Sequence, residues 1–162
     1  MADSHEMETS PEPQQRKSRV LLVEDDDLDV IAMHRVLATR DLPIELQRAR
    51  NALEAFEVLR LQQDEGREES MLIVLDLNMP AMKGLEFLAE LRADPQLKSS
   101  VVVTYTTSDS PADIQAAYDH HVAAYLTKDV VEDSTVKLAD FLEAYLKMVK
   151  LPLCGPAAAH RS

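Results

Sequence analysis

MLIVLDLNMPAMKGLEFL, residues 71–88, carries five apolar residues straight into the carboxylate of Asp76 and then through Leu77 and Asn78 to Met79-Pro80. An unbroken apolar run of this length, bounded by turn residues, reads as a strand covered on both faces. Met79-Pro80 and Gly84 shape a loop, after which Leu85, Leu88 and Leu91 resume at helical spacing. The stretch therefore predicts strand, loop and helix, with an ionisable group at the strand's carboxyl end. An Asp in that position needs a partner that nothing local supplies.

The same unit recurs along the chain. Short apolar runs stand at RVLLV (19–23), IELQRA (44–49), MLIVL (71–75), SVVVTY (100–105) and AAYLT (123–127). The second alternates Ile44 and Leu46 with Glu45 and Gln47, as on an edge strand with one wet face. Between the runs lie Val30, Met33, Val36 and Leu37; Leu53, Phe56 and Leu59; Leu85, Leu88 and Leu91; Ile114 and Ala117; and finally Leu138, Phe141, Leu142, Tyr145 and Val149. Each set forms one apolar stripe on a helix. Parallel strands need crossovers and helices supply them, so five strand–helix repeats predict an α/β, doubly wound sheet.

With 162 residues and 46% hydrophobic content, the chain suits one domain with tails. Residues 1–18 are polar, contain two prolines and show no periodicity, which predicts a disordered N-terminal tail. Pro152, Gly155 and Pro156 should stop the last helix near Leu151, leaving a domain over 19–150 and a C-terminal tail over 151–162. A formal net charge of −12 repels phosphate backbones and anionic lipid, so no nucleic-acid partner is expected. No apolar run approaches the roughly 20 residues of a membrane span, and no signal-peptide region opens the chain. A cytoplasmic protein without a membrane partner is the expectation. The single Cys154 excludes an internal disulfide and a multi-cysteine metal site.

In doubly wound sheets, functional groups gather beyond the carboxyl ends of the strands. Glu24, Asp25, Asp26 and Asp27 follow the first strand, Asp76 the third, Thr104, Thr106, Thr107 and Ser108 end the fourth, and Lys128 follows the fifth. Taken alone, EDDD is best read as a helix cap, TYTTS as a strand end and Lys128 as a solvated lysine. Their joint occurrence at four strand ends points to a site. Neighbouring carboxylates raise each other's pKa unless a counter-charge is present, and an all-oxygen donor set without Cys or His suits Mg²⁺. A carboxylate on a rigid strand end, with hydroxyls and an ammonium beside it, suits aspartyl-phosphate chemistry with Asp76 as nucleophile.

These residues resemble the receiver domains of two-component response regulators. The matching pieces are LLVEDD with Glu24 and Asp25, VLDLNMPAMKG with Asp76, VTYTTS with Thr106, and YLTK with Tyr125 and Lys128, spread over residues 19 to about 150. The resemblance implies a flavodoxin-like (βα)5 doubly wound sheet of five parallel strands. It implies that Asp76 is the phosphoacceptor, that Asp25, Asp76 and the main-chain carbonyl of Asn78 hold Mg²⁺, and that Glu24 helps through water. Thr106 and Lys128 would bind the phosphoryl oxygens, and Tyr125 would swing inward as Thr106 is drawn to them. More narrowly, LLVEDD, the insertion QQDEGREES, ADPQLKSSVVVTYTTS and DIQAAY resemble the stand-alone regulators of bacterial phytochrome histidine kinases. That implies a sensor histidine kinase, a bacteriophytochrome, as partner, and a homodimer through the fourth helix, fifth strand and fifth helix. With no output domain expected after residue 150, the signal would leave by protein contact, dimerisation or relay to a histidine phosphotransfer protein.

Two positions depart from the family's usual pattern. Asp129 stands where proline, often with a cis bond, usually follows the signature lysine, and it offers Lys128 a carboxylate to pair with. Thr104-Tyr105 replaces a commoner aliphatic pair, and a polar residue on a central strand calls for a hydrogen-bond partner. His34, His120 and His121 read as helix-surface residues. The reading is of a switch rather than an enzyme; the rivals are a receiver-like adaptor that is never phosphorylated and a haloacid-dehalogenase-type phosphatase. The latter wants a second Asp two residues beyond the nucleophile, where Asn78 stands.

Overall fold

The computed structural model describes residues 16–65, 70–129 and 133–153. The expected N-terminal tail up to residue 15, part of the QQDEGREES insertion and Cys154 lie outside the described residues. Strands β1 (Ser18–Val23), β2 (Ile44–Ala49), β3 (Leu72–Leu75), β4 (Val102–Thr106) and β5 (Ala124–Thr127) alternate with helices α1 (Asp27–Arg40), α2 (Ala52–Asp64), α3 (Gly84–Ala93), α4 (Pro111–Asp119) and α5 (Ser134–Met148). All pairings are parallel and the order is β2-β1-β3-β4-β5. The expected flavodoxin-like fold is the one observed.

Alternation along each strand divides the core into two layers. Leu21, Val23, Ile73, Leu75 and Val102 face α2, α3 and α4, where Phe56, Leu59, Phe87, Leu88, Leu91 and Ala117 meet them. Val20, Leu22, Leu72, Val74, Val103 and Tyr105 face α1 and α5, packing on Val30, Met33, Leu37, Leu138, Ala139 and Leu142. Every residue of β3 and β4 is buried, whereas β2 pairs only with β1 and keeps Glu45 exposed. The long apolar runs thus mark the middle of the sheet, and the alternating run marks its edge.

One residue of an expected stripe faces outward. Leu53 is 68% exposed, whereas Phe56 and Leu59 of the same stripe are buried, together with Ala52, Ala55 and Gln62. Small alanines let the helix approach the sheet closely, so the buried face is centred on them and not on the larger leucine. After α5, Leu151 packs against the α1–α5 layer, and Ser70 donates from both its N–H and its hydroxyl to the carbonyl of Pro152. His34 is exposed on α1; His120 and His121 close α4, where their carbonyls accept from Arg92 at 2.7 and 3.0 Å.

The junction of β3 with α3 sets where Asp76 stands. The Gly84 N–H donates to the Leu77 carbonyl at 3.1 Å, and a Cβ at Gly84 would lie 2.6 Å from Leu77 Cα and 2.8 Å from the Asp76 carbonyl oxygen. Both neighbours are main chain and cannot step aside without moving Asp76. Gly84→Ala is therefore expected to lose about 1–3 kcal/mol of stability in urea unfolding, as overpacking does. An unchanged unfolding midpoint would contradict this close approach.

Candidate functional site

Register brings the chemistry to one edge. Val23 pairs with Leu75, Leu75 with Thr104, and Thr106 with Thr127, so Glu24, Asp76, Thr106 and Lys128 emerge side by side. Main-chain bonds extend the ladder past the strand ends: the Asp76 N–H donates to the Val23 carbonyl at 3.1 Å, and the Lys128 N–H to the Thr106 carbonyl at 2.8 Å. Glu24 is 2% exposed and Asp76 7% exposed. Burial of two carboxylates together demands compensation.

The run Glu24–Asp27 divides its work. Asp26 caps α1 by accepting from the Leu28 N–H at 2.9 Å, and its own N–H donates to Glu24 Oε1 at 3.0 Å. Asp27 pairs with Arg48, whose hydrogen bond and charge hold the Asp27 carboxyl below the usual carboxylate range. Glu24, Asp25 and Asp76 instead converge, with one carboxylate oxygen from each lying within 4.8 Å of the others. These three are an all-oxygen, partly exposed set that could hold a hard divalent cation, which is the donor chemistry Mg²⁺ takes. The reading of the run as a helix cap thus holds for Asp26 at the cap and for Asp27, which places its charge in the first turn of α1.

Lys128 supplies the positive charge. Its Nζ lies 2.7 Å from Glu24 Oε2, 2.8 Å from Asp29 Oδ2 and 3.6 Å from Asp76 Oδ2. The same ammonium stands 5.0 Å from the centroid of the Tyr105 ring, whose hydroxyl donates to Ser134 Oγ at 3.0 Å. Burial pulls the Lys128 pKa down, but hydrogen bonds to Asp29 and Glu24 and the charge of Asp76 outweigh it and hold the ammonium well above the ordinary lysine range. Glu24 moves against its partner's help: burial pushes its carboxyl up to about 7, and Lys128 only partly offsets this. The asymmetry follows from number, since Lys128 shares three carboxylates while Glu24 has one cation.

The hydroxyl side is also in place. Asn78 donates its N–H to Asp76 Oδ1 at 3.0 Å and its side-chain amide to Thr106 Oγ1 at 3.3 Å and Thr107 Oγ1 at 3.2 Å. Thr106 is fully buried, and the Tyr125 hydroxyl donates to the Ser108 carbonyl at 2.9 Å, tying β5 to the loop after β4. The partner expected for the polar pair on β4 is found for Tyr105 but not for Thr104, whose Oγ1 is buried without one among the described residues. The Lys128–Asp129 bond is not cis, and the ammonium turns to Glu24, Asp29 and Asp76. Sequence reading overlooked Asp29, which lies on α1, and Arg48, whose only signal was a basic residue at the end of β2 opposite an acidic run.

The response regulator receiver domain family matches the chain over residues 20–140. The response regulator Rcp1 of Synechocystis sp. is 38% identical over 135 residues, covering 82% of this chain and 92% of Rcp1. The phosphorylated cyanobacterial phytochrome response regulator RcpA has a similar structure, with a TM-score of 0.72 at 34% identity over 84% of this chain and 99% of RcpA. The Mn²⁺-bound form of Rcp1 scores 0.72 at 38% identity over 83% of this chain and 99% of its own.

The Glu24 carboxyl makes a pH prediction for the metal-free protein. Its pKa of about 7 in the fold stands above the ordinary 4.5, so between those values the folded state keeps a proton that the unfolded state has lost. The contribution of Glu24 to stability is full below the ordinary value and falls as pH rises through the folded one. Urea midpoints of wild type and Glu24→Gln, followed without divalent ions from about pH 4.5 to 7, are expected to diverge, the wild type losing ground as pH rises. Parallel curves would contradict the raised Glu24 value.

Proposed function

Because this chain belongs to the response regulator receiver domain family, we propose that it is a phosphorylation switch whose Asp76 accepts a phosphoryl group from the histidine of a sensor kinase in a Mg²⁺-dependent step. The convergence of Glu24, Asp25 and Asp76 within 4.8 Å, with Lys128 3.6 Å from Asp76, is the observation that carries this reading. Receiver domains as a class are signalling modules. In the transfer, an Asp76 Oδ attacks phosphorus, the P–N bond of the phosphohistidine breaks and an acyl phosphate forms. Asp25, Asp76 and the Asn78 carbonyl would hold Mg²⁺, with Glu24 assisting, and the ion would supply charge neutralisation to the phosphoryl oxygens when bound.

The chain's own residues do the rest. Lys128 exchanges Glu24 and Asp29 for a phosphoryl oxygen, and Thr106 leaves the Asn78 amide to donate its hydroxyl to another. Movement of Thr106 frees space beside β4, and Tyr125 exchanges its bond to Ser108 for an inward position. The outcome is a population shift in the α4–β5 region, biased by the new charge at Asp76.

The likeness to the phytochrome response regulator RcpA supports a phytochrome-type histidine kinase as the donor. A kinase drawing on cellular ATP puts the exchange in the cytoplasm, and no helix among the described residues is long and apolar enough to cross a membrane. The signal leaves by relay to a histidine phosphotransfer protein or by pairing of two copies through α4, β5 and α5. In support of pairing, β5 is one of the two outer strands of the sheet, and the stacked Phe141 and Tyr145 rings of α5 are only partly buried.

Incubation with Mg²⁺ and acetyl phosphate is expected to add one phosphoryl group to the wild type by intact mass, and none to Asp76→Asn or to wild type with excess chelator. No gain in the wild type rejects the switch, and gain in Asp76→Asn moves the acceptor elsewhere. Light scattering of the phosphorylated protein is expected to show a dimer; a monomer with and without the phosphoryl group rejects the pairing face.

A further inference from the structure

Arg48 stands on β2 in register with Leu22 of β1, two residues before Glu24. Its guanidinium makes three contacts with the acidic loop. Nε donates to the main-chain carbonyl of Glu24 at 3.1 Å, Nη2 to the main-chain carbonyl of Asp25 at 3.0 Å, and Nη1 to the Asp27 carboxylate at 2.5 Å. A planar fork of donors suits this task, because it fixes direction as well as distance. The side chain is mostly covered, at 18% exposure, while the Asp27 side chain it reaches is 71% exposed. Two of the three carbonyl or carboxylate groups it grips belong to residues of the convergent carboxylate cluster.

We propose that Arg48 is a positioning residue for the divalent cation: it pins the loop from Glu24 to Asp27 to β2 so that the carboxylates of Glu24 and Asp25 face Asp76. This rests on the metal site read above. Arg48 bonds the main-chain carbonyls of Glu24 and Asp25 and the Asp27 carboxylate, and as a cation it is no ligand itself, so it acts through Glu24 and Asp25 and not on the ion. Its charge works the other way, since a guanidinium beside a cation site repels the cation. The sign of the effect therefore separates the two roles: loss of a clamp weakens cation binding, and loss of a repelling charge tightens it.

The test uses Mn²⁺ as a paramagnetic probe on the full chain, with free ion followed by electron spin resonance. The variants are Arg48→Lys, which keeps the charge and loses the fork, Arg48→Met, which loses both, and Asp25→Asn as a control for the site. Both Arg48 variants are expected to bind Mn²⁺ at least about tenfold more weakly than wild type, as removal of groups that orient metal ligands does. Amide exchange in the metal-free protein reports the clamp separately, because the Asp26 N–H is held by Glu24 Oε1. Its exchange is expected to accelerate in both variants while that of the β3 amides stays unchanged, which also shows that the fold is intact. Unchanged or tighter Mn²⁺ binding in either Arg48 variant overturns the proposal. Absence of Mn²⁺ binding by the wild type, or full binding by Asp25→Asn, overturns the metal reading instead; the clamp then falls if the Asp26 amide keeps its protection in the Arg48 variants.

Discussion

One ammonium organises the functional edge of this protein. Lys128 lies within 4 Å of Glu24, which follows β1, Asp29, which lies on α1, and Asp76, which follows β3. Without it, two buried carboxylates and a third nearby would face each other with no opposite charge. Removing one member of a buried ion pair typically costs about 3–5 kcal/mol, because the remaining charge is left desolvated. Glu24 has an escape from that cost, since its carboxyl already keeps a proton to about neutral pH. In the proposed switch, a cation beside Asp25 would favour the charged form of Glu24, and a phosphoryl group on Asp76 would compete for Lys128.

The rest of the structure holds that charge cluster still. β3 and β4 are buried throughout, so Asp76 and Thr106 leave the sheet from its most rigid part. Gly84 lets α3 start against the main chain of Asp76 and Leu77, closing the loop behind the carboxylate. Arg48 ties the acidic loop to β2 from the opposite side. Tyr105 places a ring under the Lys128 ammonium and anchors its hydroxyl at the start of α5 through Ser134. Apolar burial thus supplies the frame, and hydrogen bonds to main chain aim the polar groups.

The fold was legible because burial on two faces leaves an unmistakable mark, a run of apolar residues with no alternation, and β1, β3 and β4 carry it. Its residue-level failure, Leu53, has a physical cause: spacing arguments weight large side chains, whereas α2 packs by its alanines. Glu24, Asp25, Asp76, Thr106 and Lys128 were legible as candidates because each follows or ends a strand, and parallel register brings strand ends together. Asp29, Arg48 and the ring of Tyr105 were not, since their roles depend on which strand lies beside which and on how α1 and α5 lean over the sheet. The acidic run shows the same limit. Nothing local separates Asp26, a helix cap, from Asp25, a member of the cluster.

In the proposed switch, Lys128 guards Asp76 by pairing with Glu24 and Asp29 and moves to the phosphoryl group once it arrives. A structure of the protein with Mg²⁺ and beryllium fluoride, an acyl-phosphate mimic, tests this most directly. The expected result is a beryllium adduct on an Asp76 carboxylate oxygen, with the Lys128 ammonium within about 3 Å of a fluoride and no longer bonded to Asp29. An unmodified Asp76 with Lys128 still held between Glu24 and Asp29 would contradict it.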